Sequence, residues 1–251
     1  MKLSPRLALA LVGVFFATLV SAATPPSTFK DKVTLGNWLA HFYESPEPEL
    51  VAPAVLAASK LDMFNTGGDR SFAYFGFLSG VMTKYPDKVP DIASQLVSLK
   101  EADQPAVVVG LWYSTYSDKK PLLKSLAEKM PVHAKTITFL ADNDSTPVTT
   151  LPLEGGTWVF DVLWGYFMAT GDETVLLRVV EALKWSAETD TTKNLMAKNA
   201  KGSLTAQGML HTKVRAFVTD QASKQGAYVG AILAEVQKDI TKGLAANKAP
   251  K

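Results

Sequence analysis

Between Trp158 and Phe167 the chain sets five aromatic residues, Trp158, Phe160, Trp164, Tyr166 and Phe167, around one carboxylate, Asp161. Aromatic faces beside an acid can grip a peptide or a glycan, with Asp161 as the polar contact. Trp112 and Tyr113, with Tyr116 nearby, and the group Phe72, Tyr74, Phe75 and Phe77 form similar patches earlier in the chain. The candidate binding residues are therefore Trp112, Tyr113, Asp161, Trp164 and Tyr166. The competing reading makes the same rings the interior of stacked helices, with the polar atoms of Tyr and Trp reaching the edge. Asp161 also lies close to a helix start at Thr157, where the helix dipole stabilises a negative charge without any catalytic role. A catalytic acid pair would need a second carboxylate, for which Glu154 and Asp172 are the candidates.

Other catalytic patterns are missing. His41, His133 and His211 stand far apart with no His-Glu-x-x-His spacing, so no metal site is expected. The absence of cysteine rules out thiolate zinc sites, cysteine nucleophiles and disulfides. Gly76-Phe77-Leu78-Ser79-Gly80 lacks the spacing of a serine nucleophile elbow and sits in a helical run. Ser27-Thr28-Phe29-Lys30 and Ser117-Asp118-Lys119-Lys120 match Ser-x-x-Lys by letter, without its companion motifs. Asp142-Asn143-Asp144 starts like a calcium loop, but Pro147 and Leu153 occupy the places of the required Gly and bidentate acid. The Gly67-Gly68 and Gly155-Gly156 pairs lack the Lys of a phosphate loop and the third Gly of a dinucleotide fingerprint. No cofactor is expected.

The elements that must position these residues read as helices. Val175, Leu176, Val179, Val180 and Leu183 form one apolar stripe at helical spacing. Leu122, Leu123, Leu126, Ala127 and Met130 form a second, and Val229, Ile232, Leu233, Val236 and Ile240 a third. Strand-like alternation is confined to Val148–Leu153. Ser45-Pro46, Asp69, Asp103 and Ser203 sit where helix caps are wanted, and Gly171-Asp172 can stop one helix and cap the next. Pro131 to Leu140 reads as a short helix, and Ala141 to Gly156 as a loop.

The helices fall into related pairs. Seven residues before each of the turn anchors Asp87, Ser117 and Asp172 lies a glycine, Gly80, Gly110 and Gly165; nine before lies Leu78, Val108 or Leu163. In each pair the first helix is richly apolar and the second amphipathic, which suits hairpins whose first helices pack inside. The expected fold is all-α, an irregular, solenoid-like array of antiparallel helical hairpins in a single domain. Its anchors are unevenly spaced, and any two hairpins of similar length can be aligned on some glycine, so the repeat remains one of two readings.

The first 22 residues carry an address. Lys2 and Arg6 precede an apolar run from Leu7 to Val20, which ends in Val20-Ser21-Ala22, the layout of a secretory signal cut after Ala22. The run is short for a membrane span, although an uncleaved anchor is the alternative. Residues 23–32 read as an extended leader, 33–242 as the helical domain and 243–251 as a loose basic tail. The chain has 26 Lys and Arg against 24 Asp and Glu, so loss of Lys2 and Arg6 leaves a formally neutral product. Neutrality argues against a nucleic-acid partner. The expected location is the periplasm, with release outside the cell as the alternative, and no span after cleavage.

Three functions fit. The first is a non-catalytic exported scaffold that presents its surface to a protein or peptide partner. The second is a helical enzyme or small-ligand carrier with a carboxylate-aromatic pocket around Asp161. The third is chaperone-like binding of exported chains.

Overall fold

The fold is organised around one apolar helix, α3 (Ser71–Lys84), which packs most heavily on α8 (Trp158–Thr170) and next on α5 (Pro105–Tyr113). The computed structural model describes residues 29–64 and 71–248. The expected signal 1–22, most of the expected leader, the cap candidate Asp69 and residues 249–251 lie outside that range. Among the described residues there are twelve α-helices joined by short 3-10 turns, and no strand. The chain is all-α. None of its described helices is long and apolar enough to cross a membrane.

The three apolar helices expected to lead the hairpins, α3, α5 and α8, come together, with α5 and α8 each packing on α3. Their register glycines explain how. A Cβ on Gly110 would stand 2.6 Å from the Cβ of Leu78, and one on Gly80 would stand 2.7 Å from that of Ala169. A Cβ on Gly165 would overlap the carbonyl of Ala73, and one on Gly76 the carbonyl of Val162. The glycines mark helix crossings so close that no side chain fits, and tight packing there is what they provide. The order of packing is not that of a regular solenoid, however. The third apolar helix returns to α3, so α3 is the shared partner of the other two.

The amphipathic partners follow the sequence stripes. In α9 (Thr174–Glu181) and the turn after it, Val175, Leu176, Val179, Val180 and Leu183 are all buried. In α6 (Lys119–Lys129), Leu123 and Leu126 are buried, as is Met130 beyond it. Gly171 ends α8 in the left-handed conformation (φ 68°), and the Asp172 carboxylate accepts the Thr174 amide at 2.9 Å at the start of α9. The stop at Gly171 is as expected, while the cap position falls one residue later, at Glu173, with Asp172 bonding the first helical amide from outside it. The C-terminal part is a bundle of α10 (Thr191–Leu210), α11 (Thr212–Lys224) and α12 (Ala227–Lys248) packed on one another.

Five local expectations need correction. Ser45-Pro46 does not open a helix: the turn that follows runs over Pro48–Leu50, with Glu47 at its cap position. Val148–Leu153 forms 3-10 turns at Val148–Thr150 and Leu153–Gly155 rather than anything strand-like. Pro147 and Pro152 remove amide donors that a ladder needs, while Val148, Leu151 and Leu153 are buried. Ser203 lies inside α10, donating to the Ala200 carbonyl at 3.0 Å. Asp103 is buried and accepts the Ser59 hydroxyl at 2.5 Å, a tertiary contact in place of a cap. The segment from 243 continues α12 as far as Lys248, because Leu244 packs against the core and Gly243 lies against Met209.

The apolar interior forms two clusters that meet along α8. The first gathers α3 and α5 with the N-terminal helices α1 (Lys32–His41) and α2 (Val51–Lys60); the second gathers α9 and the C-terminal bundle. Ala169 belongs to the first, while Val159 to Phe167 supply the second.

Candidate functional site

The five residues chosen from the sequence do not line one groove. Trp164 and Tyr166 are buried in the second cluster, Trp164 against Phe167 with ring centroids 5.9 Å apart. Burial pushes the Tyr166 hydroxyl above its ordinary pKa. Trp112 and Tyr113 sit side by side, half-buried, at the end of α5, with centroids 4.8 Å apart. The Trp112 indole donates to the Asn143 carbonyl at 3.2 Å, and Lys119 donates to the Trp112 carbonyl at 2.9 Å. Asp161 is half-buried in the first turn of α8, as the dipole argument expects. Asp172 lies beyond the other end of that helix, roughly 16 Å away at 1.5 Å per residue, too far for an acid pair. Asp142 and Asp144, of the calcium-like stretch, face Lys124 and Lys120.

The structure instead builds two features around α1. The helix starts at Asp31, whose carboxylate accepts the amides of Val33 and Thr34 at 2.9 and 2.8 Å. These bonds, that of Thr34 foremost, hold the Asp31 carboxyl below its usual range. Its apolar residues Leu35, Leu39 and Phe42 anchor it to the first cluster. The Tyr43 amide donates to the Met168 carbonyl at 3.0 Å, tying its far end to α8.

The first feature is an open-sided pocket of about 380 Å³ lined by α1, α3, α8 and Met63. Leu39, Met63, Tyr74, Phe77 and Met168 give it apolar walls, and Gly36, Ala73 and Gly165 complete the lining. Lys32 supplies the one charge among the described lining residues. Among the described residues, a Cβ at Gly36 meets nothing within 4 Å, so no described neighbour requires a glycine there. A space of this size with one placed polar group has the character of a small-molecule pocket.

The second feature lies past the end of α1. His41, Glu44 and His211 offer ligand atoms all within 4.8 Å of one another. His41 Nδ1 is 3.2 Å from Glu44 Oε1, and the two histidine rings are 4.8 Å apart. The Tyr43 hydroxyl donates to Glu44 Oε1 at 2.8 Å and stands 3.4 Å from His211 Nδ1. His211, between α10 and α11, is fully buried, and its Nε2 has no hydrogen-bond partner among the described residues. Burial, with the His41 charge second, lowers its pKa to about 4; Glu44 opposes the shift. The Tyr43 hydroxyl is raised above its ordinary value by burial and by Glu44. Glu44 is lowered by its bonds from Tyr43 and His41. Tyr43 and His211 are 168 positions apart in the chain, and no local pattern announces their meeting. The one available signal is His41-x-x-Glu44, which places an imidazole and a carboxylate on the same side of a helical turn.

No protein-family model matches the chain, and no curated protein or solved structure matches it either.

Proposed function

We propose that this protein is an exported, non-catalytic helical carrier that holds an apolar small molecule with an anionic end in the cavity beneath α1. The observation that carries this reading is Gly36. A glycine inside a helix costs about 1 kcal/mol relative to alanine. Here neither a turn nor a close approach by any described residue calls for it, since among those residues a Cβ would meet open space. A larger side chain at that position would project toward the cavity that Gly36 lines. The apolar walls suit a hydrocarbon body, and Lys32 suits a carboxylate or similar anion. Export rests on the basic start, the apolar run and Val20-Ser21-Ala22, with the periplasm as the proposed location.

A peptide groove built on the aromatic run fares less well, because Trp164 and Tyr166 are buried. An acid pair of Asp161 with Asp172 fares less well because the two stand at opposite ends of one helix. The carrier reading is tested by displacing a polarity-sensitive dye with dodecanoate and with dodecanol. Both should bind the native chain, dodecanoate more tightly. Gly36→Leu should abolish both, and Lys32→Met should erase the preference for the acid. Unaltered binding by a folded Gly36→Leu variant would remove the cavity from consideration.

A further inference from the structure

We propose that His41, Glu44 and His211 bind one divalent transition-metal ion, with zinc the best chemical match. The donor set carries the choice. Two imidazoles and one carboxylate suit zinc, cobalt or nickel, whereas calcium and magnesium seek cages of six or more oxygens or retain several waters. Three protein ligands leave a tetrahedral ion one position for water, the arrangement of open rather than closed zinc sites.

The geometry is close to what such an ion needs. At bonds of about 2.0–2.2 Å, ligand atoms around a tetrahedral zinc stand roughly 3.3 Å from one another. His41 Nδ1 and Glu44 Oε1 are already 3.2 Å apart. The remaining separations reach 4.8 Å at most, so closure requires about an ångström and a half. The side chains of His41 and Glu44 are 42% and 48% exposed, which lets them rotate and gives an ion access from solvent. His211 is the fixed member: it is wholly buried, and its backbone amide donates to Gln207 at 2.8 Å.

The surroundings support the same assignment. The Tyr43 hydroxyl touches Glu44 and approaches His211, the position of an outer group that orients metal ligands. One buried imidazole nitrogen without a partner among the described residues is a polar cost that folded proteins generally avoid. A structural imidazole would be expected to satisfy both nitrogens; one held as a ligand has a reason to be there despite the cost.

The test uses the full, tag-free chain, stripped with a chelator and dialysed against Zn²⁺ or Co²⁺, with Mg²⁺ and Ca²⁺ in parallel. One Zn²⁺ or Co²⁺ per chain is expected, and the bound Co²⁺ should show the visible absorption of a low-coordinate ion. His41→Ala and Glu44→Gln change half-exposed side chains and should fold as the native chain does by circular dichroism. Loss of an outer-shell group alone weakens metal sites by about 10–100-fold, so each ligand variant should bind at least about tenfold more weakly. His133→Ala, on a ring that pairs with the Glu101 carbonyl, should bind as the native chain does. The assignment is overturned if neither ion is retained, if His41→Ala and Glu44→Gln keep native affinity, or if only His133→Ala loses it. Metal uptake should also survive Gly36→Leu, which separates this site from the carrier cavity.

Discussion

Gly76 of α3 lies directly against the backbone carbonyl of Val162 of α8, and Gly165 of α8 meets the carbonyl of Ala73 in the same way. The two contacts are reciprocal, so the two helices approach backbone to backbone along their central turns. Because these helices join the two apolar clusters, a methyl group at either glycine must push the clusters apart. Overpacking against flexible side chains costs about 1–3 kcal/mol, and rigid backbone yields less readily. Gly76→Ala and Gly165→Ala should each lose at least about 3 kcal/mol in urea denaturation. Gly202→Ala, in open space within α10, should instead gain roughly 0.5–1 kcal/mol. Similar stability in all three variants would contradict this account of the crossing.

Gly36 differs from Gly76 and Gly165, and resembles Gly202, in having no described neighbour within 4 Å of a Cβ; unlike Gly202 it lines the cavity. Gly36→Ala should raise stability by about 1 kcal/mol through helix propensity alone. Its small methyl should leave most of the cavity open, so ligand affinity should fall far less than in Gly36→Leu. Thermal denaturation and dye displacement on the same samples would separate the two effects. A destabilised Gly36→Ala would mean that the glycine serves the fold, and the argument for a preserved cavity would lose its support.

The helical class was legible because amphipathic stripes such as Val175 to Leu183 are local, and burial follows directly from their spacing. The register glycines Gly80, Gly110 and Gly165 were legible as a pattern, but their partners were not, since crossing order depends on how distant helices dock. Caps were mixed for the same reason. Gly171-Asp172 acts within its own neighbourhood, whereas Asp103 was drawn away by Ser59, 44 positions earlier. The candidate sites were the least legible part. Aromatic density around Trp164 marks a core as readily as a groove. A cavity is space left by packing, and His211 reaches His41 only after the C-terminal bundle folds back on α8.

Ser59 and Asp103 form a buried pair whose strength can be measured. The Ser59 hydroxyl donates to Asp103 Oδ2 at 2.5 Å, and both residues are nearly inaccessible to water. Hydrogen bonds to charged groups contribute about 1.5–3 kcal/mol. Ser59→Ala, which strands the acceptor, should lose that amount, while Ser59→Thr, which keeps the hydroxyl, should lose less. Asp103→Asn should also be milder than Asp103→Ala, because it retains an acceptor. Denaturant midpoints of the four variants provide the check, and an innocuous Ser59→Ala would show that the pair adds nothing.

His211 predicts an acid sensitivity in the metal-free chain. The groups facing it are His41, Glu44 and Tyr43 from the α1 side and Arg215 from α11. Its pKa is about 4 in the fold against an ordinary 6.5, so the unfolded chain binds the proton first as pH falls. The stabilising preference for neutral imidazole is therefore complete above about pH 6.5. It declines between that value and about pH 4, and below that this group adds no further change. The loss should amount to about 3 kcal/mol at most, by the free energy of a pKa difference. Urea midpoints at pH 7, 5.5 and 4, with chelator present, measure it. Carboxylates titrate over part of the same range, so the comparison is with His211→Asn, which should be less stable at pH 7 yet lose less on acidification. Parallel pH profiles for the native chain and His211→Asn would show that the buried imidazole is not the acid-sensitive group.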